Sequence, residues 1–263
     1  MADSDTNAPP ILYHVDRGVA TVTLNQPERK NSLSDELVTT LWERLGEAMS
    51  DDSVRVVVIT NNGNTFCAGA DLKAAKPGTA SPKVGPGFVG VFTQILDGPK
   101  PVIGRINGHA TGGGVGLAAA CDISIMRNDS LIGFTEVRIG VAPAIISVVC
   151  LPKLSRADAN ELFLTGERIS PDRAATAGLI NRAVNPEDLD ATVDHYISML
   201  VRGGPDALAG AKRLIRDVPA SSRDEAFTWT AKLSAELFGT EEAQAGIAAF
   251  RERRNAPWVP EGW

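Results

Sequence analysis

Two glycine-containing loops are the parts of this sequence whose residue types point most directly to chemistry. One covers residues 66–72 (FCAGADL) and the other covers residues 107–114 (NGHATGGG). Each follows an apolar run that predicts a buried strand, and each precedes a segment that predicts a helix. Glycine allows a backbone to approach a ligand closely, and a helix N-terminus leaves N–H groups free beside a partial positive charge. The loops are therefore predicted to aim two backbone amides at one developing oxyanion.

Phosphate binding is a weaker interpretation of the same glycines. The triplet Gly112-Gly113-Gly114 is not followed by the Gly-Lys-Ser/Thr of a Walker loop. It also lacks the Gly-x-Gly-x-x-Gly context with a ribose-binding acid about twenty residues on. An oxyanion site is favoured over a nucleotide site for these reasons.

Composition limits the partners that this chain would bind. The 263 residues carry a formal net charge of −6, a pI near 5.2 and only 5% aromatic residues. Nucleic-acid-binding surfaces are usually basic and use aromatic side chains for stacking, so this composition argues against nucleic acid as a partner. The longest apolar stretch, residues 115–125, is too short to span a membrane. Three cysteines without a CxxC pair, and three scattered histidines, predict neither disulfides nor a metal site and fit a cytoplasmic protein.

The order of predicted elements favours an α/β fold. A hairpin is expected from strands at 11–15 and 19–24, followed by a helix capped by Ser34, and further buried strands are expected at 54–59 and 101–106. Glycines and prolines at 77–87 predict a surface loop. Strand–loop–helix units of this kind indicate an α/β architecture. The last part of the chain is predicted to be helical, which divides it into a core at 1–200 and a helical region at 201–263.

Several motifs in one order resemble the crotonase superfamily, the enoyl-CoA hydratase/isomerase family. The resemblance covers most of the chain and is carried by the two loops together with residues 25–33 (NQPERKNSL), Cys121-Asp122, residues 136–140 (EVRIG) and residues 164–169 (LTGERI). It implies a spiral of ββα units with a C-terminal helical region that assembles trimers, often as dimers of trimers. It also implies an acyl-CoA thioester as substrate, with no cofactor beyond the coenzyme A that the substrate carries.

The resemblance assigns roles to particular residues. The amides of Ala70 and Gly113 would form the oxyanion hole for the thioester carbonyl, and Glu136 would be the acid/base. The residues expected along the coenzyme A path are Lys30, Ser32, Leu33, Ala68, Gly69, Asp71, Leu72 and Gly112.

The sequence departs from the family pattern at one catalytic position. Typical hydratases of the family carry a second glutamate three residues after the central glycine of the triplet, and Gly116 stands there. Some isomerases of the family place an acid eight residues after the Glu136 position, which is Ala144 in this chain. Glu136 is therefore expected to act without either partner.

A single glutamate leaves three hypotheses open. The first is hydration of a 2-enoyl-CoA, and the second is Δ3,Δ2-isomerisation of an enoyl-CoA. The third is an acyl-CoA binder without turnover. The stretch from Thr135 to Ser147 looks like some bacterial methylglutaconyl-CoA-type hydratases, which suggests a branched or methylglutaconyl-like substrate with Arg138 facing its carboxylate.

Overall fold

A computed structural model describes residues 8–71 and 85–263, and its centre is a six-stranded sheet. The strand order is β1-β2-β3-β5-β7-β10, in which the first pair is antiparallel and all later neighbours are parallel. The strands of the structure, including those of a second sheet, are β1 Ile11–Asp16, β2 Val19–Leu24, β3 Val56–Asn61, β4 Thr65–Cys67, β5 Val102–Ile106, β6 His109–Thr111, β7 Ile123–Arg127, β8 Ile132–Gly133, β9 Arg168–Ile169 and β10 Arg182–Val184.

The predicted hairpin and central strands are confirmed. β1 and β2 are joined by Arg17 and Gly18, both with positive φ, as a two-residue hairpin turn requires. All six residues of β3 are buried, because helices or other chain segments cover both faces of the parallel part of the sheet. A continuous apolar run is the sequence pattern that such a strand produces.

A second, four-stranded sheet follows the order β4-β6-β8-β9. Residues 66–72 and 107–114 were expected to be loops, and that expectation was wrong at 66–67 and at 109–111, where β4 and β6 pair in parallel. Strands of three residues are too short to show an alternating pattern, and their partner lies far away in the sequence. The turn at Asn107-Gly108 is present, and β6 begins directly after it.

Ten α-helices surround the sheets in the described part of the chain. The cap predicted for the first is confirmed, since Ser34 Oγ accepts a hydrogen bond from the amide of Leu37 at 3.3 Å. The helices are α1 Asp35–Ser50, α2 Phe88–Asp97, α3 Gly113–Ala120, α4 Ala144–Cys150, α5 Arg156–Thr165, α6 Pro171–Thr176, α7 Leu189–Leu200, α8 Pro205–Asp217, α9 Arg223–Phe238 and α10 Glu241–Glu252.

Two short helices that border the candidate active site were not predicted from the sequence. A 3₁₀ helix spans Thr135–Ile139, and α4 follows it after Pro143. Both are short, and proline and glycine between them obscure any helical period. The loop expected at 77–87 falls largely on residues 72–84, which lie outside the described residues.

The C-terminal helices differ in how they meet the core. α7 packs beneath the large sheet, where Leu189, Val193 and Ile197 contact the β3, β5 and β7 side chains. α9 has no buried residue, and Phe227 and Phe238 are exposed on it. Within the described residues, every helix is too short or too polar to cross a bilayer. The division at residue 200 stays a prediction.

Lys212 fastens α8 to the core. Its side chain is 9% exposed, and Nζ donates to the carbonyls of Ile95 and Lys100 and lies 2.6 Å from Asp122 Oδ2. Lys212→Met should lower the free energy of unfolding by about 2–3 kcal/mol, because buried acceptors lose a charged donor. Urea unfolding measures this change.

Lys232→Met is the matched control for that substitution. Lys232 is exposed and lies 3.8 Å from Glu236 on α9, so its loss should change stability by less than about 0.5 kcal/mol. Equal losses for both variants would contradict the role given to Lys212.

Candidate active site

The two predicted loops emerge at the same edge of the smaller sheet. β4 and β6 are adjacent and parallel, with Thr65 paired to His109 and Cys67 paired to Ala110. Parallel strands end at one edge, so the residues after Cys67 and the residues after Thr111 meet there. The second loop leads directly into α3, which begins at Gly113.

Residues 30–33 hold the 68–70 loop in an extended form. The amide of Ala68 donates to Lys30 O at 3.1 Å, and the amide of Leu33 donates to Gly69 O at 2.8 Å. Leu33 and Ala70 form a parallel bridge. These bonds leave the N–H of Ala70 without a hydrogen-bond acceptor among the described residues, so it is available to a ligand.

Gly69 is the point at which the two loops touch. Its φ is +83°, and a Cβ built on it would lie 2.9 Å from Thr111 O and 3.0 Å from Gly113 N. A side chain would therefore separate the loops, while glycine brings the Ala70 and Gly113 amides together. Gly113 is the first residue of α3, and no described residue accepts a hydrogen bond from its N–H, as is usual for the first turn of a helix.

The carboxyl group of Glu136 lies beside this pair of amides. A Cβ built on Gly112 would be 3.4 Å from Glu136 Oε1 and 3.5 Å from its Cδ. Gly112 has φ +55° and ψ −123°, a conformation that suits glycine. The site thus combines two amide donors with one carboxyl group at the start of α3.

The environment of Glu136 makes it a candidate acid or base. Its Oε2 is buried and has no hydrogen-bond partner among the described residues. Burial raises the pKa of this carboxyl above its ordinary value. A carboxyl with a raised pKa can exchange a proton closer to neutral pH, which is what proton-transfer catalysis requires.

These groups open into one cavity of about 630 Å³. Among the described residues, the charged ones that line it are Glu136 and Asp35, the first residue of α1, and most of the other lining side chains are apolar. Seven of the residues predicted from the sequence line it, namely Leu33, Ala68, Gly69, Ala70, Gly112, Gly113 and Glu136. The structure therefore brings the predicted oxyanion loops and the predicted acid/base to one place.

Three of the remaining predicted residues, Lys30, Ser32 and Asp71, do not line the cavity. Lys30 is exposed with a φ of +54°, and Ser32 is half-buried beside it. Asp71 lies next to the cavity-lining Ala70, and Leu72 is outside the described residues. Their assignment to the coenzyme A path stays a prediction.

Two other side chains have structural partners. Arg138 is exposed, and its Nε lies 3.4 Å from Thr165 O rather than in the cavity. The expectation that it faces a substrate carboxylate is therefore not supported. His109 Nδ1 accepts a hydrogen bond from the amide of Leu131 at 2.9 Å, which joins β6 to the start of β8.

Sequence reasoning missed the residues that form the apolar wall. Phe88 and Val89 of α2 line the cavity, as does Val38 of α1. It also missed Asn31, which is buried with φ +50° and donates to Thr65 O at 2.8 Å while accepting from the Gln26 amide. The apolar side chains carried no signal that separates a cavity wall from an ordinary core.

Known proteins resemble this chain over nearly its whole length. The sequence profile of the family described as "Enoyl-CoA hydratase/isomerase" matches residues 14–261. The "(E)-benzylidenesuccinyl-CoA hydratase" of Thauera aromatica is 32% identical, covering 93% of this chain and 97% of that protein. The "Carnitinyl-CoA dehydratase" of Salmonella heidelberg is also 32% identical, covering 90% and 93%. The crystal structure of an enoyl-CoA hydratase from Mycobacterium smegmatis superposes with a TM-score of 0.88 at 32% identity, covering 95% and 99%.

Substitution of Gly69 should be more costly than its backbone conformation alone explains. Gly69→Ala adds contacts with Thr111 O and Gly113 N to the strain of a positive φ. Gly140 has φ +78° with open space around it, so Gly140→Ala should cost only the strain, about 1–2 kcal/mol. Gly69→Ala should exceed that cost by about 1–3 kcal/mol in chemical denaturation. Equal losses would show that the loops do not constrain each other.

Glu136 should make stability fall as pH rises. Its pKa is raised in the folded state, so its contribution is fully present below the unfolded pKa near 4.5 and is lost as pH rises through the folded value. Glu136→Gln removes that penalty. The melting temperature of the variant, relative to the parent, should therefore increase from about pH 4 to about pH 8.

The exposed residue Glu28 provides the control for this pH series. The melting temperature of Glu28→Gln should change less over the series than that of Glu136→Gln. A Glu136→Gln difference that is constant with pH would mean that the carboxyl is not desolvated in the folded protein.

Proposed function

This chain belongs to the enoyl-CoA hydratase/isomerase family, and from that premise we propose that it hydrates 2-enoyl-CoA thioesters with Glu136 as its single acid and base. The observation that carries the proposal is the position of the Glu136 carboxyl against Gly112, beside two unpaired amides. Hydratase and dehydratase names among the relatives support this direction.

The amides of Ala70 and Gly113 would stabilise the charge that develops on the thioester oxygen. When a nucleophile adds to C3 of a 2-enoyl thioester, electrons move through C2 onto that oxygen. Two donors already held in place by Gly69 need no reorganisation at that moment. The N-terminal end of α3 adds its partial positive charge.

Glu136 would perform both proton transfers. As the ionised carboxylate it takes a proton from water while the hydroxyl group adds to C3. As the neutral acid it then delivers that proton to C2 of the enolate, which restores the carboxylate and leaves a 3-hydroxyacyl thioester. A pKa raised by burial suits a group that must be base and acid in turn.

The coenzyme A part of the substrate would run over residues 30–33, which form hydrogen bonds with the first loop at 68–69. Leu33, Ala68 and Gly69 line the cavity there, and Lys30 is exposed close by in sequence, where its ammonium could meet a phosphate as a point charge. Ser32, Asp71 and Leu72 complete the proposed path. The apolar lining favours an apolar group at the reacting end of the acyl chain.

The second candidate function is Δ3,Δ2-enoyl-CoA isomerisation. The specific observation in its favour is that the Glu136 carboxyl lies against Gly112, which immediately precedes the Gly113 amide. An isomerase needs a single carboxylate, which removes a proton from C2 to give the enolate and returns one to C4, so that the double bond moves from C3–C4 to C2–C3. Both candidates use the same amides and the same acid.

Trimer assembly is part of the same proposal. α9 and α10 leave three phenylalanines exposed, with Phe227, Phe238 and Phe250 between 67% and 85% accessible. Large apolar side chains in such number on one region are typical of an interface. The mass of the full chain in analytical ultracentrifugation tests whether it forms a trimer or a dimer of trimers.

Paired assays on 2-enoyl-CoA and 3-enoyl-CoA of equal chain length test the reaction. A hydratase lowers the absorbance of the conjugated enoyl thioester from the first substrate, whereas an isomerase raises that absorbance from the second. Glu136→Gln should reduce the active reaction by about 10²–10⁴-fold, because it removes the acid/base. Its affinity for a saturated acyl-CoA should stay close to that of the parent.

Asp35→Asn is the matched control, since Asp35 is the other carboxylate that lines the cavity and it is exposed. It should retain most of the parental rate. Parental activity in Glu136→Gln would disprove the role of Glu136. Acyl-CoA binding without turnover of either substrate by the parent protein would identify a binder instead.

A further inference from the structure

Ile146 occupies the space into which a side chain at position 116 would project. A Cβ built on Gly116 would lie 2.3 Å from Ile146 Cγ2 and 2.8 Å from Ile146 Cβ, with Phe92 Cζ at 3.0 Å. Such distances are too short for any Cβ, so this contact admits only glycine at 116. The β-branched side chain of Ile146 thus rests on the backbone of α3.

The same side chain forms part of the cavity wall. Ile146 is 3% exposed and lines the cavity together with Gly113, Phe88 and Glu136. A β-branched residue in a helix has one strongly preferred χ1 rotamer, so its methyl groups have little freedom to move aside. The wall at this point is apolar and stiff.

Ile146 of α4 contacts α3 at Gly116, and the distance from Gly113 to Gly116 relates Ile146 to the reacting atoms. Gly113 and Gly116 are three residues apart and lie on the same side of the helix. They are separated by about 4.5 Å along the axis, at 1.5 Å per residue. An acyl thioester whose oxygen meets the Gly113 amide has its C3 and C4 three and four bonds from that oxygen. An acyl chain that runs along α3 places those atoms at the depth of Ile146.

We infer that Ile146 is a specificity-determining residue, which admits a slender acyl group at C3 and C4 and excludes a ring or another bulky substituent there. The inference rests on the proposed function, because it takes the Gly113 amide as the site of the thioester oxygen. It also accounts for Gly116, since glycine at that position is what allows Ile146 to form the wall.

Binding of two non-reacting saturated thioesters tests the inference. The probes are butanoyl-CoA and 3-phenylpropanoyl-CoA, titrated by calorimetry into the full chain. Ile146→Ala should shift the ratio of the two dissociation constants at least about tenfold in favour of the phenyl compound, because the opened wall lets the ring become buried. Ile146→Val keeps both γ-carbons and should keep the parental ratio.

Val149→Ala controls for a general loosening of α4. Val149 is 6% exposed on the same helix and does not line the cavity, so its truncation should leave the ratio within about twofold of the parent. A comparable shift in Val149→Ala would overturn the inference. An unchanged ratio in Ile146→Ala would overturn it as well.

A stability measurement tests the contact independently of any ligand. Helix propensity alone predicts that Gly116→Ala stabilises the protein, whereas the contact with Ile146 predicts a lower melting temperature. The loss should shrink or reverse when Gly116→Ala is combined with Ile146→Ala. A stabilised Gly116→Ala single variant would show that Ile146 does not fill this space and would overturn the inference.

Failure of the proposed function is distinguishable from failure of the inference. The probes do not react, so a ratio that shifts as expected supports Ile146 even when the assays show no turnover. Active parent enzyme with an unshifted ratio contradicts Ile146 alone. A parent protein that binds neither probe contradicts both the proposed function and the inference.

Discussion

The contact between Gly69 and the start of α3 is the constraint on which the rest of the site depends. Two loops from neighbouring strands approach so closely that a Cβ on Gly69 would touch both Thr111 O and Gly113 N. That approach places an unpaired amide from each loop at one point, and the Glu136 carboxyl closes on the same loop at Gly112. The pairing of β4 with β6 in the smaller sheet holds the two loops in register at this edge.

Asparagine side chains support that arrangement from the opposite ends of β4 and β6. Asn61 donates to Thr65 O and Asn107 O and accepts from the Asn107 amide, so it joins the starts of both strands. Asn31 donates to the same Thr65 carbonyl. These amides replace the ladder that strands of three residues cannot provide, which explains how so short a sheet can fix the loops.

Features that depend on a local residue, such as a glycine turn or a helix cap, could be predicted from the sequence. The hairpin at Arg17-Gly18 and the cap at Ser34 were predicted correctly, and seven of the residues predicted for the site line one cavity. β4, β6 and α4 were not, because their pairing and packing partners are distant in the chain and their own patterns are short. The structural role of Asn31 likewise depends on distant partners, and its residue type alone does not indicate it.

Gly116 and Glu136 are connected through the apolar wall. Ile146 rests on Gly116 and lines the cavity that also contains Glu136, so the wall of that cavity is apolar at this point. Desolvation raises the pKa of Glu136 and leaves Oε2 without a partner among the described residues. A lone carboxyl in water would be a weak acid/base near neutral pH, whereas a desolvated one is better matched to both roles. Ile146 and Glu136 line the same cavity, so the packing at Gly116 and the carboxyl whose pKa burial raises belong to one site.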